Sequence, residues 1–182
     1  MKKLKESLLK SLLDIVEVVF ISSSITILTF LFLAQPLEVT GESMLPTFQD
    51  KEQIIVEKVS IKYKPLERGE ITVVGHPDNQ QVFLIKRVIG LPGETIHFNE
   101  GDVFINGEIL LEPYLNENTL TWGKTYIVDG ESITLNEDEY VMLGDNRDNS
   151  LDSRSYGPVS KENLVGRSFV VYYPIKNIRL AQ

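Results

Sequence analysis

The sequence has no cysteine and only two histidines, His76 and His97. Without thiols there can be no disulfide, no thiolate metal site and no cysteine nucleophile. The two histidines lie 21 positions apart and outside any HExxH arrangement, which argues against a zinc protease of that kind. His76 sits in GHPDNQ, which reads as a polar turn, and His97 in a separate strand-like piece. Excess positive charge is missing too. The formal net charge is −8, so no general basic footprint for nucleic acid exists. Neither internal repeats nor low-complexity tracts interrupt the chain. With 182 residues, 42% apolar and 24% charged, it has room for one membrane anchor and one ordinary globular domain.

The charge is unevenly placed. Residues 1–13 carry Lys2, Lys3, Lys5 and Lys10 against a single Glu6, whereas Gln35 onward carries 14 basic and 23 acidic residues. Between these regions Val18 to Ala34, VVFISSSITILTFLFLA, runs 17 residues without a charge. As a helix it reaches roughly 25 Å, slightly short of a ~30 Å hydrocarbon core. Ile15 and Val16 extend it if Glu17 sits near the interface, and a buried helix of a soluble protein is the alternative reading. Its serines and threonines are tolerable because hydroxyls can bond back to helix carbonyls. A cleaved signal peptide would need small residues at positions −3 and −1. Ala34 could fill −1, but −3 is then Phe32, so the pattern favours an uncleaved anchor. The preceding lysines orient residues 1–14 to the cytoplasm, 15–34 across the membrane and 35–182 outside.

Beyond Pro36 the pattern changes to short β-rich runs: QIIVEKV (53–59), EITVVG (70–75), QVFLIKRVI (81–89), DVFINGEIL (102–110), ESITLN (131–136), EYVML (139–143) and RSFVVYY (167–173). The Asn106-Gly107 pair is a hairpin signal, since both residues tolerate positive φ. Ser160 can cap a short helical turn. A mainly β fold of antiparallel sheets follows, behind one transmembrane helix. The polar-turn-rich segment from about 95 to 140 reads as a small inserted β sub-domain.

TGESMLPTF, residues 40–48, sets Ser43 among apolar residues soon after the anchor. A serine hydroxyl is a weak nucleophile until a base takes its proton. Lysine can be that base only if burial lowers its pKa. In VFLIKRVI, alternation places Lys86 on one strand face with Val82, Leu84 and Val88, opposite Phe83, Ile85, Arg87 and Ile89. An edge lysine that guards against aggregation or snorkels to water fits the same position.

GDNRDNSLDSR, residues 144–154, is a run suited to a self-bonded loop. It lacks the spacing and terminal glutamate of an EF-hand calcium site. In order behind one anchor, ESMLPT, KRVIGLPGE and GDNRDNSLDSR closely resemble the boxes of bacterial type I signal peptidases, and the single span with Gly-x-Ser-Met resembles the compact Gram-positive-type enzymes. This resemblance implies a mostly antiparallel β protein lying against the membrane, with neither metal nor organic cofactor. It matches Ser43 to the nucleophile, Lys86 to the general base and Ser150 to the serine that positions the lysine. Asp145, Asp152 and Arg154 match the structural set around the site. Gly41 stands where two-span relatives carry a serine that donates to the oxyanion hole; here Gly41 and the Ser43 N–H are expected to line that hole.

The implied reaction is cleavage of signal peptides from exported preproteins, after small residues at P1 and P3, through an acyl-enzyme. Val39, Met44, Leu45 and Ile85 are expected to wall the substrate pocket, with the peptide laid as a strand against residues 82–86. Met44, Leu45 and Phe48 are expected to dip into the bilayer interface. Implied partners are signal-peptide-bearing preproteins, the lipid bilayer and the secretion translocon, with no nucleic acid. Two rivals share some of these features. A self-cleaving Ser-Lys repressor would be cytosolic with a DNA-binding domain, and an inactive anchored homologue would have lost Ser43 or Lys86.

Overall fold

Residues Lys2–Phe32 form one continuous helix, α1, in the computed structural model, which describes residues 2–77 and 79–181. From Ser7 to Phe32 this helix is long and apolar enough to cross a membrane. Its large side chains are exposed around the whole circumference; Phe20, for example, is 70% exposed. A helix that is apolar on every side has no stable state in water unless lipid or protein covers it. The hydroxyls bond back as expected: Ser24 donates to the Phe20 carbonyl and Thr29 to the Ile25 carbonyl.

The helix starts earlier and stops earlier than the 15–34 span read from the sequence. Ala34–Glu38 is already a strand, β1, paired with residues 53–57. Pro36 explains the stop, because it lacks an N–H and disfavours helical geometry at Gln35.

The main sheet is built further from β2 (Gln53–Glu57), β3 (Ile71–His76) and β4 (Asn79–Gly90). The inserted sheet follows, made of β5 (Thr95–Asn99), β6 (Asp102–Ile105), β7 (Glu108–Ile109) and β8 (Ser132–Thr134). The chain then returns to the main sheet through β9 (Glu139–Leu143), a short helix α2 (Ser153–Tyr156), β10 (Val159–Ser160), β11 (Leu164–Tyr173) and β12 (Arg179–Leu180). Strand order is β1-β2-β11-β3-β4-β9-β10 in the main sheet, with β12 beside β11, and β7-β6-β5-β8 in the other. The pairings are antiparallel.

Local chemistry explains much of this. In β2 the buried residues alternate, Ile54 and Val56 facing the core. Asn106 and Gly107 both adopt positive φ at the β6–β7 turn, and Asn106 Oδ1 accepts a 2.9 Å hydrogen bond from the Thr95 N–H. Ser160 caps the 3₁₀ turn Lys161–Asn163 by accepting from the Glu162 N–H. His76 is not in a turn: it ends β3, opposite Asn79, with its ring 5.1 Å from that of Tyr156. Asp78 of the same stretch lies outside the described residues.

Side chains of β4 feed three separate apolar clusters. Leu84 and Val88 pack with Val74 and Met142. Ile85 joins Val39, Met44, Phe48 and Ile54. Ile89 joins Ile96 and Phe98 of the inserted sheet. Strand β4 is therefore the beam on which both sheets and the 39–48 loop are mounted.

Phe48 corrects one expectation. It is fully buried in the cluster beneath the loop, so it cannot dip into a bilayer. Replacing Phe48 with Ala should cost about 3–5 kcal/mol of stability. Urea unfolding in detergent, followed by circular dichroism, checks this.

Candidate active site

The loop carrying Ser43 is held from both sides. The Val39 N–H donates to the Glu52 carbonyl at 2.7 Å and the Val39 carbonyl accepts from Lys51 at 2.9 Å. Gly41 takes a left-handed φ of 91°, and its N–H donates to Asp50 Oδ1 at 2.8 Å. Met44 and Phe48 plug the loop into the core. The apolar residues of TGESMLPTF thus fix the backbone, leaving half-buried Ser43 at the edge of an apolar layer. Among the described residues the Ser43 N–H has no hydrogen-bond partner.

Lys86 meets this serine from β4. Its Nζ donates to Ser43 Oγ at 2.9 Å and to the Ile85 carbonyl at 3.0 Å, and the residue is 2% exposed. Burial brings its pKa from 10.5 down to about 8. The carboxylates of Asp152 and Asp145 oppose the shift, while the cations of Arg154 and Lys124 reinforce it. A sizeable neutral fraction of this amine therefore exists near neutral pH.

The polar loop 144–154 closes the site. Asp145 forms a buried bidentate pair with Arg87, Nε to Oδ1 at 2.9 Å and Nη2 to Oδ2 at 2.6 Å, and also accepts from Thr47. Asp152 forms a second with Arg154, at 2.9 and 2.8 Å, and accepts from the Gly144 N–H. Desolvation raises the Asp152 pKa, but the Arg154 bonds and charge outweigh it, and the carboxyl stays below its ordinary value. The loop also grips the nucleophile segment directly: the Asn146 N–H donates to the Ser43 carbonyl at 3.0 Å and its side-chain amide to the Glu42 carbonyl at 3.1 Å.

The residues that carried the sequence resemblance thus converge in space. A match to the family described as signal peptidase, peptidase S26, covers residues 12–173. The chain belongs to this family. It is 36% identical over 183 residues to a signal peptidase I of Bacillus amyloliquefaciens, covering 98% of this chain and 97% of that protein. It is 35% identical over 184 residues to signal peptidase I P of Bacillus subtilis subsp. natto, covering 98% of each. A crystal structure of a signal peptidase I from Enterococcus faecalis V583 overlaps 57% of this chain and 97% of that one, at 30% identity and a TM-score of 0.46.

Three expectations for this signal peptidase need correction. Ser150 is buried beside the site, but its hydroxyl makes no hydrogen bond to Lys86, whose amine is held by Ser43 and the Ile85 carbonyl instead. Gly41 has its N–H engaged by Asp50 and offers none to an oxyanion. Val39 and Met44 are 3% and 2% exposed and present no surface to a substrate; of the expected pocket residues, Leu45 and Ile85 are partly open. The reason is common to Val39 and Met44: an apolar side chain next to a nucleophile anchors its loop as readily as it touches substrate.

Other site residues escaped the sequence reading. Arg87 neutralises Asp145, stacks 3.9 Å over Tyr114 and donates to the Gly69 carbonyl. Arg147, within the polar motif, pairs with Glu112, donates to Thr121 and reaches the Gly144 carbonyl. Lys124 donates to the Ser150 carbonyl at 2.6 Å. Arg87 had a signal, a second charge next to Lys86 in the otherwise apolar run VFLIKRVI. Glu112, Thr121 and Lys124 had none, since only tertiary folding brings the insertion to the motif.

Gly144 is the closest point of contact: a Cβ there would strike both the Ser43 carbonyl and the Ser150 hydroxyl. Gly144→Ala should push the two loops apart and lower turnover of a signal-sequence peptide about a hundredfold, while circular dichroism stays unchanged.

Proposed function

We propose that this chain carries out its family's reaction, hydrolysis that frees exported preproteins from their signal peptides, with Ser43 as nucleophile and Lys86 as general base. One observation carries the assignment: a buried amine 2.9 Å from a half-buried serine hydroxyl. Lys86 Nζ takes the Ser43 proton as Oγ attacks the scissile carbonyl, and the Ser43 N–H donates to the developing oxyanion. The C–N bond breaks, the protonated Lys86 returns its proton to the leaving amine, and the signal peptide remains as an ester on Ser43. Lys86 then deprotonates a water, which attacks the ester and restores the serine.

Strand β4 supplies the docking edge. Its pairing with β9 begins only at Arg87, so among the described residues Val82–Lys86 have no strand partner on that side. An extended peptide added there leads its scissile bond to Ser43. Leu45 and Ile85 face that path as walls that exclude bulky side chains. Beside it, a cleft of about 520 Å³ between Leu45, Pro46, Asn146 and Trp122 leaves room for the mature side of the substrate.

The helix α1 crosses the cell membrane once, with its lysine-bearing start in the cytoplasm and the β domain outside. A precursor leaving the secretion translocon is then held in the same bilayer, which raises its effective concentration at the site.

Purified full-length protein, incubated with a precursor bearing Ala-x-Ala, should release the mature chain, whereas Ser43→Ala and Lys86→Met should not. Equal cleavage by all three would sink the assignment. Activity should rise with pH and reach half its plateau near 8, because the base works only when neutral. The same depressed pKa gives a stability test. Below about 8 the fold bears the full cost of burying a charged amine, and between 8 and 10.5 this cost disappears. Lys86→Met should therefore melt higher than the unmodified chain at pH 7, with the margin shrinking across that interval.

A further inference from the structure

All six arginines of the domain beyond Gln35 are ion-paired with a carboxylate: Arg68 with Glu94, Arg87 with Asp145, Arg147 with Glu112, Arg154 with Asp152, Arg167 with Glu70 and Arg179 with Glu52. Lys51 and Lys64 are paired as well. The lysines without an ion pair among the described residues are few in a region that is strongly acidic. Three of them, Lys58, Lys62 and Lys161, line one cleft of about 250 Å³.

The place of this cleft matters. Its other walls include Leu31 and Phe32, the last residues of α1, and Ile61. The Lys58 N–H donates to the Leu33 carbonyl, which ties the lysine-bearing turn to the point where the helix ends. Glu57 is ion-paired with none of the three; its carboxylate is turned to the Ser60 hydroxyl and to the Val59 and Ser60 N–H groups. Tyr63, 84% exposed, follows at once, as suits an aromatic residue at a membrane–water boundary. The cleft thus offers three ammonium groups without an ion pair beside an apolar wall formed by the last residues of α1.

We propose that this cleft is a binding site for the headgroup of an anionic phospholipid, which seats the β domain at a fixed height and tilt on the outer face of the bilayer. The proposal rests on α1 being the membrane anchor. Charge complementarity selects the lipid: a phosphodiester with no compensating amine, such as phosphatidylglycerol, is favoured over zwitterionic phosphatidylcholine. Each lysine near an anionic surface contributes roughly a fivefold preference, so removing three should lower it by at least about tenfold.

The test uses the full chain reconstituted in vesicles of equal parts phosphatidylglycerol and phosphatidylcholine, with retained lipid identified by native mass spectrometry. Four proteins are compared: the unmodified chain, the combined Lys58→Gln, Lys62→Gln, Lys161→Gln variant, the corresponding triple arginine variant, and Lys176→Gln as a lysine remote from the cleft. We expect selective retention of phosphatidylglycerol by the unmodified, triple-arginine and Lys176→Gln proteins, and near-equal retention of the two lipids by the triple-glutamine protein. A triple-glutamine protein that keeps the preference overturns the site. So does one that only melts lower without a change in lipid selection, since the lysines would then merely offset the dipole at the helix end. Carbonate extraction separates this from failure of the anchor: a chain washed from vesicles of either lipid is not anchored, and the site falls with it.

Discussion

A lysine amine buried within hydrogen-bond reach of a serine is the constraint on which this structure turns. Burial alone lowers the amine's pKa, yet two carboxylates, Asp145 and Asp152, stand close enough to raise it again. Each is locked in bidentate fashion to its own arginine. A carboxylate whose charge is matched at contact distance exerts a much weaker field on a third group. The arginine pairs therefore let acidic residues serve as loop architecture without protonating the base. Buried pairs of this sort add little net stability, and removing one partner is costly. Their value here lies in placing the loop.

The same economy governs the inserted sheet. It joins the main sheet through the apolar cluster of Ile89, Ile96, Phe98 and Leu143, and through Arg147, whose guanidinium spans Glu112, Thr121 and the Gly144 carbonyl. Gly144 is the residue that presses against the nucleophile segment. The insertion thus steadies, from behind, the loop that sets the Ser43 backbone. A polar motif that looks like a solvated loop in one dimension is mostly interior in three: Asp145, Arg147, Asp152 and Arg154 are all nearly inaccessible to solvent.

Much of this protein was legible in its sequence. The charge-free run between the amino-terminal lysines and Pro36 reads as a membrane-length helix, a form that satisfies its own backbone groups in an apolar medium. Strand alternation in QIIVE and VFLIKRVI, the Asn-Gly turn and the Ser160 cap are local rules that hold whatever surrounds them. Spacing and order of the three motif boxes were enough to point to the Ser-Lys enzyme family.

What the tertiary structure alone decided is which side chains those motifs meet. Phe48, Val39 and Met44 look available next to a membrane and a nucleophile, yet they are core, because the 39–48 loop folds down onto β2 and β3. Ser150 lies beside the lysine in family logic, whereas here the Lys86 amine turns to Ser43 and its own strand's carbonyl. Arg87 and Arg147 find their acids 58 and 35 residues away. The Lys58, Lys62 and Lys161 cleft joins segments a hundred residues apart to the end of the helix. Periodicity and turn chemistry act over a few residues and so can be read along the chain. Charge pairing and loop burial depend on distances that only the closed sheet defines.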